Sequence, residues 1–434
     1  MPIEYDLVII GATELGCGMA RRAASMGARV ALVEQSVTPE PALRYRAMVR
    51  APWPSIPDAD RASWLEFKVQ DDQSELSAES LQIAGVDYIA HAGVFVQKPI
   101  HGFQVVDRLL RSSHYLSALQ GDRTVPLGLS PMDCLRPEAL VHQWFELKDQ
   151  RVAIVGEMPV GVELAMALRS QGAEVMLVVP TPQILPKVKR AFSDRVQMAL
   201  EIAGVEVWVG QSYASQSIRD RIANCDTVVL ATPMAKLLPE RLGLRSLNRS
   251  VMRQNRLKLV IHDDDLTDNL TAMAHVWIER ILKPWTQRIM KPSSGQLTGL
   301  AAAWVHGPIV GSKEEPKKER LTSKTINLQG VSLDEGRLWY DVSVTKTGRI
   351  VEAYFVGDQA IQWSGIFSVA IAAKLSLPNL LSLAMPNATQ NVLAAHWLQE
   401  WERQAQSPLF REFFLDWLGF VRRRSIVKPP SRAG

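Results

Sequence analysis

Cysteine is scarce: only Cys17, Cys134 and Cys225 occur, widely separated, in a chain of 434 residues. No CxxC or other metal-ligand spacing exists, so a disulfide framework, a zinc ribbon and a redox pair close in sequence are all excluded. Such a chain belongs in a reducing compartment, and a cytoplasmic location is expected. Charge of one sign is lacking as well. The 49 basic and 45 acidic side chains leave +4, too little to argue for nucleic acid, and no nucleic-acid partner is expected. No apolar run approaches the roughly 18 residues of a membrane-spanning helix. The N-terminus has no basic stretch ahead of its short apolar segment, so no signal peptide is expected. His91, His114 and His396 have no partners at ligand spacing, and His262 to Asp265 reads as a solvated turn, so no metal is expected. Glycine (26) and proline (25) are too few for a collagen-like or low-complexity chain. The length suits several domains, each with its own core.

Two segments repeat one pattern. Tyr5 to Ile10 reads as a buried strand, Gly11 to Gly16 (GATELG) as a turn, Cys17 to Gly27 as a helix, and Arg29 to Val33 as a second strand ending at Glu34. In mid-chain, Arg151 to Val155, Gly156 to Gly161 (GEMPVG), Val162 to Gly172 and Glu174 to Val179 follow the same order. This is the layout of the dinucleotide fingerprint. Its first glycine permits a tight turn, its middle glycine lets the backbone meet a pyrophosphate, and its last lets helix and strand pack closely. The helix N-terminus then faces the phosphate charge. Candidate binding residues are Gly11, Ala12, Thr13, Leu15, Gly16 and Glu34 in the first unit, and Gly156, Gly161 and Glu163 in the second. Both units lack the middle glycine. Thr13 is modest in size, and its hydroxyl could donate to a phosphate. Met158 is bulky where a phosphate should pass. Glu34 suits a ribose hydroxyl, whereas its counterpart Pro180 cannot accept a hydrogen bond through a side chain. The first site reads as weakened and the second as closed, with Gly156 and Gly161 kept for packing. Cys17, near a helix start that favours a thiolate, reads as a small packing residue.

At these residues the chain resembles the class I pyridine nucleotide-disulfide oxidoreductases, the family of dihydrolipoamide dehydrogenase, glutathione reductase and mercuric reductase. The likeness runs in order through Ser77 to Val96, Tyr115 to Pro126, Gly161 to Ala165, Gln183 to Gly210 and Thr227 to Leu244. It ends in a long match from Val342 to Trp397 to the family's C-terminal interface domain. The resemblance implies an α/β architecture of two Rossmann-like domains, FAD-type with an inserted NAD-type, and an α/β interface domain. The implied boundaries are 1–149 and 236–311 for the FAD-type domain, 150–235 for the NAD(P)-type domain, 312–321 for a linker and 322–434 for the interface domain. A homodimer through that last domain is also implied.

The family's chemistry is absent position by position. Gln35 to Ser55, where the redox pair should lie, holds no cysteine. Met385 and Gln390 stand where the family's base histidine and its glutamate belong, and neither can do proton transfer. The stretch from His275 to Arg280 offers no flavin-binding glycine-aspartate turn, and Gly357 with Asp358 lies in the interface domain instead. The expected protein is therefore a catalytically degenerate, flavoprotein-like homodimer with a binding or regulatory role. Weak FAD binding is possible and NAD(P) is not expected, and its action could lie on a protein partner. An FAD enzyme acting through flavin alone and a purely structural protein with collapsed pockets remain the alternatives. The tail from Leu409 to Arg424 combines an aromatic helical stripe with three closing arginines. It fits either a peripheral membrane contact or docking on its own domain.

Overall fold

A computed structural model describes residues 4–35, 38–74, 76–97, 101–119, 121, 123–126, 129–130, 134–233, 238–260, 278, 281–282, 293–297, 302–306, 325–332, 338–357, 359–382, 388–405 and 416–417. The chain divides into two compact units. The first comprises Met1–Arg288 and Gln296–Leu300, the second Ile289–Gly295 and Ala301–Gly434.

The first unit opens with β1 (Tyr5–Ile10), α1 (Glu14–Ser25) and β2 (Val30–Val33), followed by α2 (Glu40–Arg50), α3 (Arg61–Ser74) and α4 (Ala78–Ile83). Strands β3 (Val86–Ile89), β4 (Gly93–Val96), β5 (Gly102–Val105), β6 (Arg108–Leu110) and β7 (Ser112–Ser117) come next. A second α/β run holds β8 (Arg151–Val155), α5 (Pro159–Gln171), β9 (Glu174–Val179), α6 (Arg190–Ile202), β10 (Glu206–Val209), α7 (Gln216–Ala223) and β11 (Thr227–Leu230). The chain then returns through α8 (Arg249–Gln254) to β12 (Leu257–Val260).

These strands make two parallel sheets, ordered β12-β7-β1-β2-β3 and β10-β9-β8-β11. The strands β1, β2, β8 and β9 are apolar runs because both faces of a parallel sheet are covered. On one face of the first sheet, Leu7, Ile9 and Leu32 pack with Leu15, Met19 and Ala20 of α1. On the other, Val8, Ile10 and Tyr115 pack with Phe95, Phe103 and Leu110 of the small antiparallel sheet β4-β5-β6. In both parallel sheets the chain leaves the first strand to one side and later returns on the other. The crevice past the C-terminal ends of β1 and β8 is thus a topological switch point, the place where such sheets take ligands.

The second unit is built on the antiparallel strands β14 (Ala302–His306), β17 (Ile350–Gly357), β16 (Leu338–Thr345) and β15 (Thr325–Ser332), in that order, with β13 (Ser293–Leu297) beside β14. Helices α9 (Ala360–Ala372), α10 (Leu377–Ser382) and α11 (Ala388–Ala405) complete it. Its core is aromatic: Trp397 meets Trp363 edge-on at 4.8 Å and Phe367 at 5.3 Å. Gly357 closes β17 in this sheet, while Asp358, Met385, the run 262–265, the linker 312–321 and nearly all of the tail lie outside the described residues. Gln390 lies in α11. Among the described residues, no helix is long and apolar enough to cross a membrane, and no cluster of His, Cys, Asp and Glu is arranged to hold a metal.

Candidate functional site

The two glycine turns are built alike. Gly11 N–H donates to Val33 O at 2.8 Å and Gly156 N–H to Val178 O at 3.0 Å. The strand returning across each switch point is tied in the same way, Ala118 N–H to Ile10 O at 2.8 Å and Ala231 N–H to Val155 O at 2.7 Å. Gly11 and Gly156 both have positive φ, +108° and +140°, where a side chain is strained. The third glycines are steric. A Cβ on Gly16 would lie 2.1 Å from Gly11 O, and one on Gly161 2.7 Å from Ala231 Cβ.

The helices begin earlier than periodicity suggests. α1 starts at Glu14, so Leu15 and Gly16 are helical, because Thr13 is its N-cap and accepts from Gly16 N–H at 3.1 Å. That capping corrects the expected role of the Thr13 hydroxyl. It donates to Ala118 O at 3.3 Å while accepting from Gly16, so it is engaged within the protein and does not wait for a phosphate. α5 starts at Pro159, whose fixed φ suits a first helical position, and ends at Gly172 in left-handed geometry.

The two turns differ at their middle residue. In the second, the Met158 backbone N–H donates to Ala231 O at 3.2 Å and the side chain is buried. That amide is spent inside the turn, so the second site loses a phosphate donor as well as space. Pro180 follows directly on β9, where Glu34 follows β2. Glu34 accepts from the Tyr88 hydroxyl at 3.0 Å through Oε2. Its other oxygen can serve a ribose. Burial first, and then this bond to a carboxylate, push the Tyr88 hydroxyl pKa up, so Tyr88 stays a donor that orients Glu34. The adjacent Gln35, at φ +53°, bonds Gly93 N–H, Gly93 O and Arg241 O, each at 2.8 Å. Neither Tyr88 nor Gln35 carries a local sequence signal.

Cys17 is fully buried, with its thiol near Ala12 O at 3.7 Å. Burial pushes the thiol up to about 12, against a small opposing backbone effect. The helix start therefore yields a buried thiol rather than a reactive thiolate. All three cysteines are free.

The helix that follows β2 carries a charged cluster that sequence reasoning missed. On α2, Tyr45 is buried, and its hydroxyl has no hydrogen-bond partner among the described residues. Burial, then Glu163 and Glu138, raise its pKa well above the ordinary value, with Arg123 opposing. Desolvation lowers Arg46 to about 10, with Arg50 adding repulsion and Asp72 and Glu163 opposing. Arg50 is lowered by the same burial. Glu163 of α5, expected at the second nucleotide turn, thus lies within electrostatic reach of Tyr45, Arg46 and Arg50, and α2 packs against α5. Arg46 also forms an ion pair with Glu14, the first residue of α1. Nearby, the two crossings between the sheets are stitched together. Arg123 donates to Thr232 O at 2.8 Å, and Thr232 Oγ1 donates to Thr124 O at 2.6 Å.

As to the cofactor that this layout implies, the adenosine half fits: a Gly11 turn, close packing at Gly16 and an acceptor at Glu34. The helix start that a pyrophosphate would face carries the Glu14 carboxylate, paired with Arg46.

Residues 129–253 match the family model described as pyridine nucleotide-disulphide oxidoreductase. A glutathione reductase from Nostoc sp. is 25% identical over 230 residues, 48% of this chain and 49% of the relative, so the chain spans about half the length of that curated relative. Among solved structures, the HOCl-induced flavoprotein disulfide reductase RclA from Escherichia coli superposes with a TM-score of 0.67 at 16% identity, over 90% of this chain and 98% of that one. The water-forming NADH oxidase from Lactobacillus brevis, bound to NADH, superposes with a TM-score of 0.64 at 13% identity, over 93% and 100%.

Proposed function

We propose that the chain, which matches the pyridine nucleotide-disulphide oxidoreductase model over residues 129–253, is a member of that family without dithiol chemistry that acts by binding. It holds an adenine nucleotide, FAD weakly, on a homodimeric scaffold. One observation carries the reading. The helix after β2 bears Tyr45, Arg46 and Arg50 and no cysteine, while the nearest thiol in sequence, Cys17, is buried and protonated. Disulfide exchange needs a thiolate that can reach its partner, and this helix supplies none. The second nucleotide turn, with its Met158 amide committed and Pro180 in the acceptor's place, argues against nicotinamide exchange.

The test is the absorption spectrum and mass spectrometry of small molecules released from the purified full chain, with NADPH-driven reduction of glutathione disulfide or lipoamide as the activity assay. Substoichiometric flavin or adenine nucleotide with no disulfide turnover is expected. Turnover of either disulfide would sink the binding reading.

A further inference from the structure

The first turn carries an anion of its own. Glu14 is the first residue of α1, at the positive end of the helix, where a carboxylate is stabilised by the same dipole that would favour a phosphate. Its side chain is 14% exposed and its ion-pair partner, Arg46 of α2, 22%. The pair therefore sits largely out of water and ties the turn to the helix that follows β2. Thr13 has already taken the Gly16 amide, so the helix start offers a ligand one donor fewer. Arg46 also lies beside Arg50, which repels it, with Glu163 and Asp72 as further counter-charges. Close by, the buried Tyr45 hydroxyl has no partner among the described residues.

We propose that the Glu14–Arg46 ion pair is a displaceable latch on the anion site: a nucleotide diphosphate enters by expelling the Glu14 carboxylate and taking over Arg46. The proposal rests on the nucleotide reading above and deepens it. Glu14 becomes the residue that sets how strongly phosphate charge is discriminated against. With Glu14 in place, a diphosphate meets a carboxylate of like sign and a cation already engaged. With its charge removed, Arg46 is left next to Arg50 and the helix start regains its positive character. A ligand without phosphate is indifferent to both. Weak FAD retention would then reflect an internal competitor rather than a ruined pocket.

The experiment is calorimetric titration of the full chain with ADP and, separately, with adenosine, for the parent and for Glu14→Gln and Arg46→Gln. ADP affinity should rise about tenfold or more in Glu14→Gln and fall in Arg46→Gln, with adenosine affinity unchanged in both. The unchanged adenosine affinity also shows that each variant is folded. Equal ADP affinity in the parent and Glu14→Gln, with adenosine bound by both, overturns the latch and leaves the nucleotide reading intact. Binding of neither ligand by any form overturns the nucleotide reading and the latch with it. Where Glu14→Gln loses adenosine binding through misfolding, Glu14→Ser repeats the comparison with a side chain too short to reach Arg46.

Discussion

Replacing Gly156 by alanine separates a glycine kept for packing from one kept for a ligand. Its φ is +140°, and a Cβ there would lie 2.2 Å from both Ala231 C and Ala231 O and 2.5 Å from Thr232 N. These are backbone atoms at the end of β11, bonded to β8 through Ala231 N–H, so they cannot swing aside as a side chain would. The backbone strain costs about 1–3 kcal/mol, and the forced separation of β8 from β11 about 1–3 kcal/mol more. The stiffer unfolded chain returns only about 0.4–1 kcal/mol. The net loss is about 1–6 kcal/mol. Gly210→Ala is the control: its φ is +69° with nothing within 4 Å of the new Cβ, so only the strain remains. Urea unfolding followed by tryptophan fluorescence, with hydrogen exchange over residues 151–230 to localise the change, measures both. At about 2 kcal/mol per molar urea, Gly156→Ala should lower the midpoint by about 0.5–3 M without any nucleotide present, and by more than the control does. Equal effects of the two variants, or a Gly156→Ala protein of parental stability that has lost only nucleotide binding, would refute the packing argument.

Three further outcomes follow from the site. Cys17 should be alkylated by iodoacetamide at pH 8 more slowly than Cys134 and Cys225, both partly exposed. Because burial lifts its pKa from 9.0 to about 12, the folded state holds a proton that the unfolded state releases. The associated stability is complete below about pH 9 and is lost as pH rises toward 12. Cys17→Ala should therefore reduce the fall in urea midpoint between pH 7 and pH 10, and an unchanged fall would assign it to other groups. Met158→Gly with Pro180→Glu should raise NADH affinity in a fluorescence titration, because bulk is removed and an acceptor supplied; no gain would mean that the Met158 amide bond to Ala231 alone closes the turn.

The strands were legible because their physics is local. Tyr5–Ile10, Arg151–Val155 and Glu174–Val179 are apolar runs closed by polar or glycine residues, and their observed bounds coincide with the sequence reading. The helix starts were less so. Thr13 caps α1 three residues before Gly16, and Pro159 opens α5, yet a reader looking for a glycine turn counts these positions as loop. The charged cluster was not legible at all. Glu14 and Arg46 meet across two helices, and Glu163 meets α2 only because α5 packs against it. Each of these residues, taken alone, reads as an ordinary solvated charge, and only burial turns them into a coupled group. Tyr88 behind Glu34 is the same case: a strand tyrosine becomes a positioning group only when β2 and β3 pair in register, Val33 opposite Ile89.

The glycine skeleton explains how the scaffold is legible apart from any chemistry that it carries. Gly16 and Gly161 approach the backbone or a neighbouring Cβ too closely for any side chain, and Gly11 and Gly156 hold φ values that strain one. Those demands come from strand, turn and helix alone and would persist in an empty pocket. A thiol, a base or a middle glycine is held in place by no such demand, since replacing it leaves strand, turn and helix where they are. The glycines therefore report the fold. What the site does is decided by the residues between and beyond them: Glu14, Thr13, Glu34, Met158 and the cationic face of α2. Among these residues Glu14, the first residue of α1, is paired with Arg46 of α2, and the second turn has bonded its own amide.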